Sequence, residues 1–377
     1  MRIICFSHLR WNFVYQRPQH LLTRLSKTYP VIYIEEPMFQ PGENRLDITG
    51  DAEGVQVITP VLNDGHRDHS EEPIKALLAE WNKQYSTKFI AWFYTPMALP
   101  LLGALEEPAM VIYDCMDELS AFRFAPPSLK ENERLLMEQA DIVFTGGVSL
   151  YEVKKELHDN VHVFPSSIDR EHFAGALEKG IAEPHDQSGI PHPRVGFFGV
   201  IDERFDIELI GELARKRPDL QIILLGPVVK IDEGTLPRAD NLHYRGSKTY
   251  NELPQYLAGW DVALIPFAIN ESTRFISPTK TPEYLAGGVP VVSTPIRDVV
   301  TPYGINGLVH IASNATEFSD AIDEALTDRE DEQWVAEVDR WLNGISWDKT
   351  AQDMLAQIEL IVDKKSLNPK KKEGLHV

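Results

Sequence analysis

Cysteine is almost missing from this 377-residue chain: Cys5 and Cys115 are the whole complement. Both lie in apolar runs that read as buried strands, so two packed thiols in a reducing compartment are expected. No Gly-x-Gly-x-x-Gly follows a strand, which speaks against a dinucleotide-dependent oxidoreductase. Positive charge is scarce: 37 lysines and arginines stand against 57 aspartates and glutamates, a net charge of −20. A nucleic-acid partner is therefore not expected, because a phosphate backbone needs a basic surface. No apolar stretch nears the ~20 residues that span a bilayer. Met1-Arg2 precedes only the short run Ile3–Phe6, too short for a secretory leader. Metal-ligand spacings are lacking too, and His66 and His69 sit in a polar loop that reads as solvated. These absences predict a cytoplasmic protein that uses no metal and no other cofactor.

What the chain does have is alternation. In the first half, short apolar runs at 2–7, 31–35, 55–59, 89–94, 110–114, 142–145 and 161–164 read as strands. Helical patterns at 16–27, 72–85, 127–139 and 148–156 lie between them. The stretch 174–193 breaks the pattern with Gly175, Gly180, Pro184, Gly189, Pro191 and Pro193, and reads as a linker. Alternation then restarts, with strands at 195–198, 221–225, 242–244, 262–266, 289–293 and 308–311. Helices follow at 205–215, 250–258, 282–286 and 317–326, and two more at 330–342 and 348–362. The fold class is α/β: two Rossmann-like domains whose parallel sheets face a central cleft. The domains are read as 1–173 and 194–345, followed by a basic tail at 365–377 with Lys365, Lys370, Lys371 and Lys372. Such a tail reads as a solvated terminus or as a contact for anionic lipid at a membrane surface.

The most informative stretch is 267–294, FAINESTRFISPTKTPEYLAGGVPVVST. A polar loop runs into a short helix, Gly287-Gly288 stops it, and a valine-rich strand follows. Two helix starts are open: Ser277 as N-cap with Pro278 first, or Thr281 as N-cap with Pro282 first. The second is favoured, since Pro282 inside a helix begun at Ser277 would lose a backbone hydrogen bond. In that register the N–H groups of Glu283 and Tyr284, with Lys280, face an anion. Glu283 would then accept hydrogen bonds from sugar hydroxyls. The plain alternative is a capped helix with a surface lysine and glutamate.

The segment PTKTPEYLAGGVPVVST resembles the donor-site motif of the "group 1" glycosyltransferases, which have the two-Rossmann GT-B fold. The resemblance extends to Val163–Asp169 with Phe173, to Asn241–Gly246, Leu253-Pro254 and Asp261–Pro266, and to Ser346–Asp348. Gln16–Leu21 resembles a subgroup of teichuronic-acid or cell-wall-type transferases. It implies transfer of a sugar from a nucleotide-sugar donor to a glycan or lipid-linked acceptor, with retention of configuration and no metal. The last helix, 347–364, would cross back onto the first domain. Donor-binding residues would be Gly199, Arg204, Ser277, Thr279, Lys280, Thr281 and Glu283. The family usually places an Arg and a Lys after the first strand of the second domain; here only Arg204 is present. It also carries two glutamates eight positions apart. Glu283 matches the second, but Phe275 occupies the first place, Glu271 is the nearest acid, and backbone N–H groups of 273–279 are the expected substitute.

Asp117, near the family's sugar-proximal histidine, joins Arg204 and Lys280 as a candidate catalytic residue; the alternative is an acidic cap cluster with Asp114 and Glu118. His8, Arg10 and Arg17 are expected at the cleft mouth, where they would bind the acceptor. His20 reads as structural. The rival readings are a nucleotide-sugar epimerase and a catalytically silent nucleotide-sugar-binding module.

Overall fold

A computed structural model describes residues 1–50 and 53–367. The first sheet contains β1 (Arg2–Phe6), β2 (Val31–Ile34), β3 (Met38–Phe39), β4 (Arg45–Gly50), β5 (Val55–Leu62), β6 (Phe89–Phe93), β7 (Met110–Cys115), β8 (Ile142–Thr145) and β9 (Val161–Val163). Its order is β3-β5-β2-β1-β6-β7-β8-β9, with β4 paired to β5 alone. The central strands run parallel, and every residue of β1, β2, β6, β7 and β8 is buried. Strands covered on both faces need near-continuous apolar runs, which is why they are visible in the sequence. The antiparallel edge strand β4, Arg-Leu-Asp-Ile-Thr-Gly, is mostly exposed, presents no continuous apolar face and escapes that reading.

The second sheet contains β10 (Arg194–Phe198), β11 (Gln221–Leu225), β12 (Leu242–Tyr244), β13 (Val262–Ile265), β14 (Val291–Ser293) and β15 (His310–Ile311). Its order, β12-β11-β10-β13-β14-β15, is the doubly wound Rossmann order. In each sheet the strand order reverses beside the first strand. Loops after β1 and β10 therefore open at the positions where such sheets bind ligands.

The segment 174–193 is docked rather than loose. Gln187 is fully buried; its Nε2 donates to Tyr256 O at 3.0 Å and its Oε1 accepts from Trp260 Nε1 at 2.9 Å. Arg194 pairs with Glu183 across the same segment. Its glycines and prolines prevent long regular elements, but buried side chains still fasten it to the second domain.

The terminal helix, Trp347–Leu367, returns to the first domain. Trp347 is completely buried in that domain's core and stacks on His20, with ring centroids 4.7 Å apart. Burying roughly 150–250 Å² of indole is worth about 4–6 kcal/mol. Arg24 pairs with Asp348 at 3.1 Å and holds the helix start. Lys365, read above as tail, belongs to this helix and pairs with Asp141 at 2.7 Å. Lys370, Lys371 and Lys372 lie outside the described residues.

Candidate functional site

The site grows from strand ends. β10 ends at Gly199, whose φ of +142° favours glycine. A Cβ here would collide with the Lys280 side chain, standing 2.8 Å from its Nζ. Gly226, after β11, has φ +140°, and a Cβ there would strike the Gly199 carbonyl. The two glycines therefore let neighbouring strand ends close up and admit Lys280 from the adjoining helix. Gly199 makes room for a side chain, where the sequence suggested room for a ligand.

That helix is Lys280–Ala286, with Thr279 as N-cap. It starts two residues earlier than the favoured register, so Pro282 is the third helical residue. A proline there is tolerated because that N–H has no partner within the helix. The consequence is a correction: the Glu283 N–H is not free, since it donates to Thr279 O at 3.3 Å. Thr281 is fully buried, and its hydroxyl has no partner among the described residues. The Ser277 carbonyl accepts from the Ser166 hydroxyl, joining the two domains.

Lys280 Nζ lies 5.6 Å from the ring centroids of both Phe197 and Phe267. Among the described residues it makes no hydrogen bond or ion pair. Burial pushes its pKa down, while Glu283 opposes the shift. Burial pushes the Glu283 carboxyl up, countered by Lys280 and the Thr279 hydroxyl. Arg204 sits alongside, its Nε and Nη2 tied to Asp202 at 3.0 and 2.7 Å. Nη1 has no bond among the described residues. An anion placed between Lys280 and this Nη1 would keep Lys280 protonated.

Three acids close β7, and two are committed. Asp114 is completely buried and pairs with Arg17 at 2.9 Å; Glu118 pairs with the buried Lys154 at 2.8 Å. The acidic-cap alternative fits Glu118 in part, since it is the N-cap residue of the one-turn helix Leu119–Ala121 and accepts from the Ser120 hydroxyl at 2.7 Å; Asp114 is instead taken up by Arg17. Asp117 has no ion pair among the described residues. Burial raises its pKa to about 6, against the charges of Arg204, Arg17 and Lys280. Asp117, Arg204 and Lys280 thus come together across the cleft from two domains.

The acceptor group is corrected. Arg17 is 4% exposed, bonded to Asp114 and to the Phe164 carbonyl at 2.7 Å. It braces the first domain and reaches the cleft only through its charge on Asp117. Arg10 is spent on Glu35 at 3.0 Å and on the carbonyls of Glu36 and Pro37. His8 does remain, with a buried Nδ1 that has no partner among the described residues. Phe275, at the place of the missing glutamate, packs against a first-domain apolar cluster. Glu271 is 78% exposed and faces Arg274, so it does not fill that place. Within the loop, the Thr273 and Ile276 N–H groups already donate to Asn270 and Thr273 carbonyls.

Several contributors escaped the sequence reading. Asp298 accepts from the Ser149 N–H at 3.1 Å and so ties the second domain to a helix of the first. Gly147 leaves space for that carboxylate, since a Cβ there would collide with it. The strand-Gly-Gly-helix pattern at 142–149 was the available signal. Phe122 lies under Arg204 at 5.3 Å, a contact between domains that no local pattern announces.

Fold comparison identifies the class first. Sucrose-phosphate synthase from Thermosynechococcus elongatus aligns with TM-score 0.72 at 14% identity, covering 96% of this chain and 99% of that one. Anabaena HepE, solved with UDP and glucose, aligns with TM-score 0.68 at 15% identity, covering 95% and 99%. These likenesses establish the two-domain GT-B fold. Residues 192–328 match the family described as glycosyl transferases group 1. TuaH of Bacillus subtilis (strain 168), assigned by name to teichuronic acid biosynthesis as a glycosyltransferase, is 28% identical over 221 residues. The match covers 54% of each chain, so this chain spans about half the length of that relative. Residues 192–328 thus match a group 1 glycosyltransferase model within a chain of GT-B fold.

Proposed function

We propose that the protein transfers a sugar from a nucleotide-diphosphate donor to an acceptor hydroxyl in the assembly of a cell-envelope or exopolysaccharide glycan. The carrying observation is Lys280: a partly buried ammonium with no ion pair among the described residues, close to Arg204 and Glu283. Such a cation is costly unless an anion arrives. The acceptor oxygen bonds to the anomeric carbon, the bond from that carbon to the β-phosphate oxygen breaks, and the hydroxyl proton passes to the departing diphosphate. Negative charge builds on the departing diphosphate, where Arg204 and Lys280 stabilise it. Because side chains supply this positive charge, the reaction proceeds without a metal. Glu283 binds the ribose; Ser277, Thr279 and Thr281 line the donor loop; Asp117 faces the transferred sugar. Retention of configuration, a cytoplasmic location with peripheral membrane contact, and a glycan or lipid-linked acceptor complete the proposal.

The test is turnover of UDP-, GDP-, ADP- and TDP-sugars with chelator present, with and without a pool of envelope glycan precursors. Acceptor-dependent release of one diphosphate supports transfer. Change of the donor sugar without acceptor would instead identify an epimerase. Tight binding without release would identify a silent module.

A further inference from the structure

Lys230 is not among the residues assigned above to the donor. It ends the stretch Gly226–Val229, which is fastened to the loop after β10: the Ile201 N–H donates to Pro227 O and the Val229 N–H to Ile201 O, both at 3.0 Å. At Lys230 the backbone turns left-handed, with φ +64°, a conformation glycine takes freely and lysine does not. Held strain of this kind clusters where position matters to function.

The turn sends the side chain across the cleft. Its Nζ lies 5.7 Å from the Phe122 ring centroid, the ring that also carries Arg204. The neighbourhoods of the two cations differ. Lys280 responds to Glu283, Arg204, Asp202 and Asp117. Lys230 acts on His8, at the end of β1, and on Glu36, beyond β2, a carboxyl that also faces Arg10. Lys230 therefore faces His8 and Glu36 of the first domain as well as the ring it shares with Arg204. Among the described residues its ammonium makes no hydrogen bond or ion pair. Opposite it, the buried His8 Nδ1 is also without a partner among those residues. Burial and the Lys230 charge push the imidazole down to about 4, so it meets a ligand neutral, able to donate one hydrogen bond.

We infer that Lys230 and His8 form an oxyanion subsite for the acceptor, so that the sugar accepting transfer carries a carboxylate or a phosphate. This rests on the transferase reading above. It also replaces the cations that sequence suggested, because Arg10 and Arg17 are already committed.

The test loads the protein with the nucleoside diphosphate it binds, then titrates glucose, glucuronate and glucose 6-phosphate by calorimetry. At least one anionic sugar should bind ten-fold or more tightly than glucose. Preference for glucuronate or for glucose 6-phosphate then tells carboxylate from phosphate. Lys230→Met should abolish the preference, Lys230→Arg should keep it, and nucleotide affinity should not change in either. Equal or undetectable binding of all three sugars, or a preference surviving Lys230→Met, would overturn the subsite while leaving the donor site standing. Failure of every diphosphate to bind would remove the transferase reading and this subsite with it.

Discussion

Gly199→Ala perturbs the donor site without removing any side chain proposed to touch a ligand. The residue sits at φ +142°. An L side chain in that region costs about 1–3 kcal/mol. The added methyl would also collide with Lys280, 2.8 Å from Nζ. Lys280 must then leave its seat by Phe197 and Phe267, each 5.6 Å away. The lost cation–π attraction is about 1–2 kcal/mol. The sum is about 2–5 kcal/mol, and the melting temperature should fall about 2–4 °C for each kcal/mol. Lys280→Ala removes the collision but not the backbone strain. Unfolding measurements on both single variants and the double variant should therefore show Gly199→Ala costing about 1–2 kcal/mol less when Lys280 is absent. Additivity within ~0.5 kcal/mol would refute the contact and the placement of Lys280. Turnover of the donor in Gly199→Ala should drop at least ten-fold, because the cation has moved.

Three other perturbations test separate parts of the account. Asp117 is raised from 3.8 to about 6, so the native state binds more protons than the unfolded chain between those values. Ionised Asp117 therefore costs stability above pH ~6, and this cost disappears as pH falls below ~4. Asp117→Asn should raise the melting temperature at neutral pH, with the gain fading in acid, and should cut transfer while sparing nucleotide affinity; a gain independent of pH would contradict this. Arg17→Ala strands the fully buried Asp114 and should cost about 3–5 kcal/mol in chemical denaturation, whereas a loss below ~1 kcal/mol would deny it a bracing role. Trp347→Ala should cost about 3–5 kcal/mol and expose the terminal helix to protease before the sheets, and simultaneous cleavage throughout would argue against that helix as a separate clasp.

The parallel strands were legible because burial on both faces writes itself as runs such as Ile3–Phe6 and Val262–Ile265. The edge strand at 45–50 wrote nothing, since it has no continuous buried face. The segment at 267–294 stood out by its loop–helix–strand pattern and its resemblance to a family motif, but its helix start was misjudged by two residues, because a proline is tolerated at any of the first helical positions. Arginine was the poorest guide. Arg10 and Arg17 look identical to binding cations in a sequence, and only Glu35 and Asp114, 25 and 97 residues away, show that both are spent. Phe122 and Lys230 were invisible for the same reason: they meet across a domain boundary, and no local spacing encodes that contact.

The most direct test is calorimetry of UDP, GDP, ADP and TDP, with NAD as control, on the wild-type protein and on Lys280→Ala and Glu283→Ala. The account predicts that one diphosphate binds, that either substitution weakens it ten-fold or more, and that NAD does not bind. Binding of NAD alone, of no diphosphate, or of a diphosphate indifferent to both substitutions would contradict it.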